Sequence, residues 1–529
     1  MPHGRASPDR LPRNPHRVAG SVAHRLVTPV LDTDALRAAR SAYDRDDLPR
    51  TRRLLEAVLA QAPDNAEGHN LLGNVHLREG RPTEAAECYR RAVAADPGHT
   101  KAHFNLGLAA LEAGRPQEAA RAIETALALA PGAAEDHLLL GNILHGLGRE
   151  TDAIAHWRTA VARAPGLVAG WVNLGSLLRA RGEFPAALEA LTRAVELAPE
   201  LGVAHLELGL VRHASGDHAG AIVAFRRAAE LDPEAVAPRV NLAEALRHAG
   251  RTDEARAVLA EAAAAHPGDG AVHKALGLLA LTDGDRDAAA RHYRSAQARL
   301  PDDPEIAHLL AAAEGRSVAS APAAYVRALF DDFADRFDHE LVDHLRYDTP
   351  RVLAEALRAA LPRPGVRLRL VDLGCGTGLA GAALAELALD LVGVDLSPRM
   401  LEHARARGIY SQLACDDLVA FLSQCPAGRF DGAVAADVFN YVGRLDDALA
   451  QLGRVLDDAG LLAFSLETHE HPGNDQAVLT PSGRFAHRVD AVLRAAAVYG
   501  FSVMRQSRVV LRMDRGLPVA GAILVLRKG

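Results

Sequence analysis

Apolar and small residues recur along the first half of the chain at a fixed step of 34. Pro63, Pro97, Pro131, Pro165, Pro199, Pro233, Pro267 and Pro301 keep that interval, and so do the glycines from Gly80 to Gly284. Two alanine series, Ala85 to Ala289 and Ala92 to Ala296, follow it as well. Larger apolar residues (Tyr89, Trp157, Leu191, Phe225, Tyr293) return at one position in the second half of each unit. This pattern predicts pairs of antiparallel helices. Glycine in mid-unit permits the tight turn, small alanines let the two helices approach, and proline stops the second helix. The unit at about 30–65 keeps Pro63 but has Asp46 where the glycine belongs, and reads as a degenerate cap. After Pro301 the step is lost, and residues 304–322 read as a capping helix and a Ser/Ala/Pro linker.

The second half changes period. Residues 323–360 have helical apolar spacing that clusters Tyr325, Leu329, Phe330, Phe333 and Phe337. Strands are predicted at 367–373, 391–395, 411–414, 430–436, 460–467, 501–512 and 519–527, with helices at 379–389, 398–407, 445–458 and 486–499. Alternation that ends in two consecutive strands predicts an α/β fold, its sheet mostly parallel with an antiparallel end.

A step of 34 with these residue types resembles the tetratricopeptide repeat. The resemblance covers about residues 30–303, about eight repeats, and implies an all-α superhelix of stacked units. His69, His103, His137, His205 and His273 share one repeat position, with Trp171 in the same place. Helices stack about 10 Å apart, too far for a ladder of metal ligands, so the series reads as helix packing. Asn105, Asn173 and Asn241, with Glu207 at the matching slot, fall on the face expected to line a concave groove. Amide side chains there offer a donor and an acceptor to an extended peptide. Leu71, Leu139 and Ala275 interrupt that ladder.

The densest chemistry lies at Leu368–Leu379, LRLVDLGCGTGL. An apolar strand enters a glycine-rich turn and a helix leaves it, the start of a nucleotide-binding sheet. Gly374-x-Gly376-x-Gly378 is one reading of the spacing; Gly376-x-Gly378-x-x-Gly381 satisfies the dinucleotide fingerprint as well. Flanking acids favour the first. Asp372 suits an ammonium and would repel a pyrophosphate. Asp395 suits ribose hydroxyls, Asp416-Asp417-Leu418 an adenine amino group, and Asp437 ends the fourth strand where ligands bind in such sheets. VDLGCGTG, GVDLSPRM, DDL and FDGAVAADVFNYV in this order resemble the class I S-adenosylmethionine-dependent methyltransferases over about residues 323–529. The resemblance implies a Rossmann-like, seven-stranded sheet and S-adenosyl-L-methionine as cofactor. It also implies a cofactor-contacting set of Asp372, Gly374, Cys375, Gly376, Gly378, Asp395, Leu396, Asp417 (alternate Asp416), Leu418, Ala436 and Asp437, with Tyr347 closing over the amino-acid end. Fusion of the two modules is a known bacterial arrangement.

Composition narrows the class. A net charge of −7 argues against nucleic acid as partner. Cys88, Cys375, Cys415 and Cys425 lack paired spacing, as expected of a reduced cytoplasmic protein. No apolar run approaches the roughly 20 residues that span a bilayer. Residues 1–29, rich in Arg, Pro and His, read as a disordered tail. The expected function is methyl transfer to a protein or carrier-bound substrate recruited by the repeats. Alternatives are an interaction scaffold with an idle methyltransferase domain, or a small-molecule carboxyl or hydroxyl O-methyltransferase. A base is needed only for a protonated acceptor; Tyr441, His469, His471 and His487 are the candidates. No metal site is expected.

Overall fold

The computed structural model describes residues 34–316, 318–334, 337–339, 341, 347–470, 476–514 and 517–529. The predicted tail 1–29 lies outside them. They form two compact units, 34–249 and 250–529.

The 34–249 unit is built of helix pairs, from Asp34–Asp44 with Leu48–Gln61 to Gly202–Ala214 with His218–Leu231, and then the helix Val236–His248. Every turn glycine of the 34-residue series has a positive φ, between 72 and 85°. Asp46, where the first unit lacks glycine, adopts φ 62° itself and pairs with Arg78 at 2.8 Å. Second helices stop just short of their prolines: Pro82–Ala95 is followed by the cap Asp96 and then Pro97. The alanine series are buried throughout, but the closest helix approach falls elsewhere, on a second glycine series. A Cβ at Gly73, Gly141 or Gly209 would come within 2.5 Å of the ring of Tyr89, Trp157 or Phe225.

The histidine series has a further role that its packing position conceals. His69, His103 and His205 donate from Nε2 to the carbonyls of Pro63, Pro97 and Pro199 at 2.7, 3.0 and 2.9 Å. Trp171 Nε1 does the same to Pro165 at 2.9 Å. Each ring satisfies a carbonyl just past a helix end, where no intrahelical donor remains. His137 departs from this, its Nδ1 lying 3.0 Å from His156 Nδ1.

The 250–529 unit opens with helices Thr252–Ala265, Gly270–Asp283, Arg286–Gln297 and Pro304–Glu314, then Ala323–Phe333 and Thr349–Ala360. Its sheet has seven strands: β1 (Leu368–Leu373), β2 (Ala388–Asp395), β3 (Gln412–Cys415), β4 (Phe430–Ala435), β5 (Leu456–Glu467), β8 (Phe501–Asp514) and β9 (Leu517–Lys528). The order is β3-β2-β1-β4-β5-β9-β8. The first five are parallel, whereas β9 runs antiparallel to both β5 and β8. Leu353, Leu357 and Leu384 cover one face against Leu370, Leu391 and Val525. Leu422, Leu449, Leu452 and Val492 cover the other against Val371, Val392 and Leu462.

Several predicted bounds change, the strand expected at 460–467 among them, which begins at Leu456 where the helix Asp446–Val455 stops. The helix expected at 379–389 is Leu379–Leu384, and β2 starts earlier, at Ala388. The helix expected at 486–499 is Val489–Val498, because a short hairpin, β6 (Ala477–Leu479) with β7 (Phe485–His487), takes the preceding residues. This hairpin packs on helices Pro304–Glu314 and Ala323–Phe333 through Phe485, Leu479, Ala312 and Tyr325. His308 Nε2 donates to Gly483 O at 2.8 Å within that contact. Among the described residues no helix is long and apolar enough to cross a membrane.

Candidate active site

At the carboxyl end of β1 the chain turns through three glycines of positive φ: Gly374 at 60°, Gly376 at 54° and Gly378 at 91°. Gly374 is required by crowding, since a Cβ would meet Val438 Cγ2 at 2.5 Å. Gly378 starts the helix Leu379–Leu384 close to Arg407, 2.9 Å from its notional Cβ. Gly376 differs: the nearest atom to its notional Cβ is on the Phe337 ring, 3.9 Å away. A Cβ there would make only ordinary van der Waals contact, without the crowding at Gly374 and Gly378. Gly381, third in the dinucleotide reading, is spent on packing, because a Cβ there would sit 2.5 Å from Tyr410 Cζ.

The acids divide by role. Asp372 is fully buried. Its Oδ2 accepts from the Tyr410 hydroxyl at 2.7 Å, while Oδ1 has no well-formed partner among the described residues. Burial pushes this carboxyl up to about 7, against the Tyr410 hydrogen bond. Asp395 accepts the Gly376 N–H at 2.9 Å on Oδ2 and the Ser397 N–H at 2.8 Å on Oδ1. It thereby fixes the glycine loop to the end of β2. Burial raises its pKa too, and those two N–H groups oppose the rise. Each carboxylate oxygen keeps a second lone pair for a ligand hydroxyl.

Asp417 caps the helix Leu418–Gln424, its Oδ1 accepting from Val419 N and Ala420 N at 2.9 and 3.1 Å. Half-buried Asp416, just past β3, is engaged as well, its Oδ1 accepting from Asp417 N at 2.8 Å and its Oδ2 from Gln424 Nε2 at 3.3 Å; Leu396 and Leu418 are half-buried. Cys375 turns its side chain into the core. It is buried, its Sγ lies 2.9 Å from a notional Cβ on Gly393, and burial pushes its thiol well up.

Aromatic residues from the segment preceding β1 cover the loop. Phe337 packs on Phe330 and Phe333 at centroid distances of 6.1 and 5.6 Å. Asp338 accepts from the Thr377 hydroxyl and pairs with Arg407. Asp331 accepts from Ser397 Oγ at 2.6 Å, and Arg327 Nε donates to Leu396 O at 3.1 Å. Tyr347 lies in the field of Asp437, Arg512 and Asp372; burial first, then Asp437, holds its phenol well above the usual range.

Across the sheet's midline sits a buried ionic network absent from the sequence reading. Asp437, following β4 and half-buried Ala436, has a positive φ of 58°. It is no helix cap. Its N–H donates to Ser465 Oγ at 2.7 Å, and that hydroxyl donates back to Oδ1 at 2.7 Å. Arg512 Nη1 donates to Asp437 Oδ2 at 3.1 Å, and Nη2 to Glu467 Oε1. Arg484 from the hairpin pairs with the same Glu467 oxygen at 2.9 Å. Burial disfavours charge on Arg512, but Glu467 and Asp437 outweigh it and hold the guanidinium above its usual range. The signal available in the sequence was an arginine inside the apolar run of β8.

The base candidates separate. His487 is fully buried, donates from Nε2 to Phe439 O at 3.0 Å, and is pushed down to about 4 by burial. It is structural. His469 is half-buried, with its backbone N–H on His487 O at 3.2 Å. His471 lies outside the described residues. Tyr441 is half-buried, stacks edge-on to Phe330 at 5.4 Å and hydrogen-bonds Arg484. Of the candidates with described side chains, it is the one tied to the Asp437–Arg512 rim.

The proposed groove residues of the array are engaged elsewhere. Asn105 is buried and donates to Asn70 and Asn74 at 3.0 and 3.3 Å, while Tyr89 donates to that same Asn74 oxygen. Asn173 repeats the device on Asn142, shared with Trp157. Glu207 pairs with Arg179 at 3.1 Å. Asn241 is half-buried.

Comparison with known proteins agrees with this layout. Residues 371–464 match the family described as a methyltransferase domain. Residues 36–100, 104–168, 172–236 and 212–279 match families described as tetratricopeptide repeat. The human protein named Methyltransferase-like protein 27 is 35% identical over 147 residues, 26% of this chain and 57% of that one. Ubiquinone biosynthesis O-methyltransferase of Cereibacter sphaeroides (strain ATCC 17025 / ATH 2.4.3) is 34% identical over 130 residues, 23% of this chain and 50% of that one. The chain thus spans about half the length of these curated relatives. A solved S-adenosylmethionine dependent methyltransferase from Mesorhizobium loti is 22% identical, with 33% of this chain and 96% of that one covered and a TM-score of 0.26.

Proposed function

Proceeding from a chain that carries tetratricopeptide repeats and a methyltransferase domain, we propose that it is an S-adenosylmethionine-dependent methyltransferase whose repeats recruit a protein or carrier-bound substrate. We place the repeats at about 30–303, the cap and linker at 304–322 and the catalytic region at 323–529, in a cytoplasmic protein. Packing divides the chain differently, at residue 250. The observation that supports the cofactor is the pairing of an uncrowded backbone at Gly376 with a buried, under-bonded oxygen on Asp372.

A site so lined fits a ligand carrying an ammonium and a ribose. Asp372 Oδ1 would accept from the ammonium, Asp395 from ribose hydroxyls and Asp417 (alternate Asp416) from an adenine amino group. When bound, S-adenosylmethionine supplies a methyl group on a sulfonium, a good leaving group for in-line displacement. The residues then act chiefly by alignment and by excluding water. Phe337 and Tyr347 cover the glycine loop, and Asp395 holds it. On the acceptor side Tyr441 stands beside Arg484 and Arg512, where an anionic acceptor would need no base. Histidine catalysis through His487 is disfavoured by its burial.

Isothermal titration of the full chain with S-adenosylmethionine tests the cofactor: absence of binding at millimolar ligand overturns the proposal. Tritiated-methyl transfer to proteins captured by the chain tests recruitment, and binding without transfer would indicate an idle domain. A second reading, O-methylation of a small acceptor, draws support from the relative named an O-methyltransferase. Base lability of the product separates carboxyl esters from ethers and amines.

A further inference from the structure

The junction between the sixth and seventh repeats departs from the array's own pattern at four positions together. His213 stands where other units have Leu77, Leu111, Arg179 or Leu281, with His145 alone sharing its type. His218 replaces Pro82 and Pro116, Glu244 replaces Asn74, Asn142 or Leu210, and His248 replaces Ala180 or Ala214. The fold-defining series pass through unbroken, as Gly216, Ala221, Ala228 and Pro233. The repeat itself therefore does not call for these four residues.

Helices Gly202–Ala214, His218–Leu231 and Val236–His248 bring them together within the 34–249 unit. The ring centroids of His213, His218 and His248 are 4.9, 5.1 and 5.2 Å apart, a nearly equilateral triangle. His213 Nδ1 and His218 Nδ1 face each other at 3.2 Å. Glu244 Oε1 lies 3.7 Å from His248 Nε2, one helical turn away. One ligand atom each from His213, Glu244 and His248 falls within 4.8 Å of the others. A tetrahedral ion with metal–nitrogen bonds of about 2.05 Å sets nitrogens about 3.3 Å and imidazole centroids about 5.2 Å apart. The three rings already have that spacing.

We propose that His213, His218, Glu244 and His248 bind a divalent transition-metal ion of the zinc class and so cross-link the sixth and seventh repeats. Three imidazoles and one carboxylate select such ions over calcium and magnesium, which take oxygen sets. The site is separate from His69, His103 and His205, whose Nε2 atoms are committed to proline carbonyls. Arg247 bears directly on it. Its Nη2 lies 2.7 Å from His248 Nε2 and 3.6 Å from Glu244 Oε1, so its guanidinium holds the acceptors that the ion would take. Metal entry displaces Arg247 outward and costs affinity, and removing its charge strengthens binding.

Zinc and cobalt(II) titrations of the full chain, stripped with chelator, test the site at neutral to slightly alkaline pH. One site per chain tighter than the remaining histidines is expected, with the intense visible absorption of tetrahedral cobalt. Melting temperature should rise with zinc, because ligation acts only on the folded state. His218→Gln and Glu244→Gln should each weaken binding by roughly tenfold or more. Arg247→Gln should tighten it, and His103→Gln should leave it unchanged. Metal-free circular-dichroism melts establish that each variant folds. An unchanged affinity in His218→Gln combined with His248→Gln, or a weak octahedral cobalt spectrum, overturns the proposal.

Discussion

In the array, Asn105 and Asn173 each reach 31 residues back, to Asn74 and Asn142, and Trp171 reaches six back to Pro165 as His103 does to Pro97, contacts that recur at the repeat's own spacing. In the α/β region, Arg512 reaches 45 residues back to Glu467 and 75 to Asp437, and nothing in the chain repeats that arrangement. The array draws its recurring polar contacts from near neighbours, so stability adds up unit by unit and interface by interface. The α/β region concentrates buried charge, a left-handed aspartate and an under-bonded carboxylate around one loop. Unsatisfied or strained groups of this kind gather where a ligand completes them.

The sharpest way to break the contrast is Arg512→Met. It leaves Asp437 and Glu467 buried without their shared cation and should cost about 3–5 kcal/mol, read by urea denaturation. A loss under about 1 kcal/mol would mean the network is wetter than its burial indicates. Next comes Asp395→Ala, which frees the Gly376 and Ser397 amides. S-adenosylmethionine affinity should fall roughly a hundredfold by calorimetry, with helix content unchanged.

Gly141→Ala probes the array, since its Cβ would press on the Trp157 ring. Overpacking should cost about 1–3 kcal/mol in chemical denaturation, while cofactor affinity stays at the wild-type value. A change in affinity would erase the distinction between the two regions.

A pH dependence needs no substitution. With Asp372 at about 7 in the folded protein against about 3.9 for a free aspartate, the native state holds a proton that the unfolded chain has lost. Stability therefore falls as pH rises from about 4 to about 7, and the under-bonded carboxylate costs stability in full beyond that. Binding of an ammonium ligand runs the other way and should tighten as pH rises toward 7, then level off. Asp372→Asn should flatten both curves, in denaturation and in titration calorimetry.

Much of this was legible without coordinates because it is local. The 34-residue step marks helix pairs, since turn, close contact and helix stop each demand a residue type at a fixed offset. The glycine loop was legible for the same reason: all three glycines carry the φ that only glycine adopts cheaply. The second glycine series, from Gly73 to Gly277, keeps the same period but went unread beside the alanines. The hairpin at Ala477–His487 escaped because three-residue strands leave almost no alternation to detect. The burial of Asn105 was not legible, because spacing gives a face but not the depth of a side chain.

Sequence by itself determined the period, the sheet's strands and the loop that faces a ligand, because backbone conformation there is dictated residue by residue. Tertiary structure decided which distant groups meet. Tyr410 reaches Asp372 only because β2 and then β3 follow β1 on one side of the sheet, and Arg512 reaches Asp437 only because β9 and β8 close the sheet beyond β5. The same holds for His213, His218, Glu244 and His248, four unremarkable positions until helix stacking sets their side chains side by side. Such meetings depend on strand order and packing rather than on local preference, and no spacing rule encodes them.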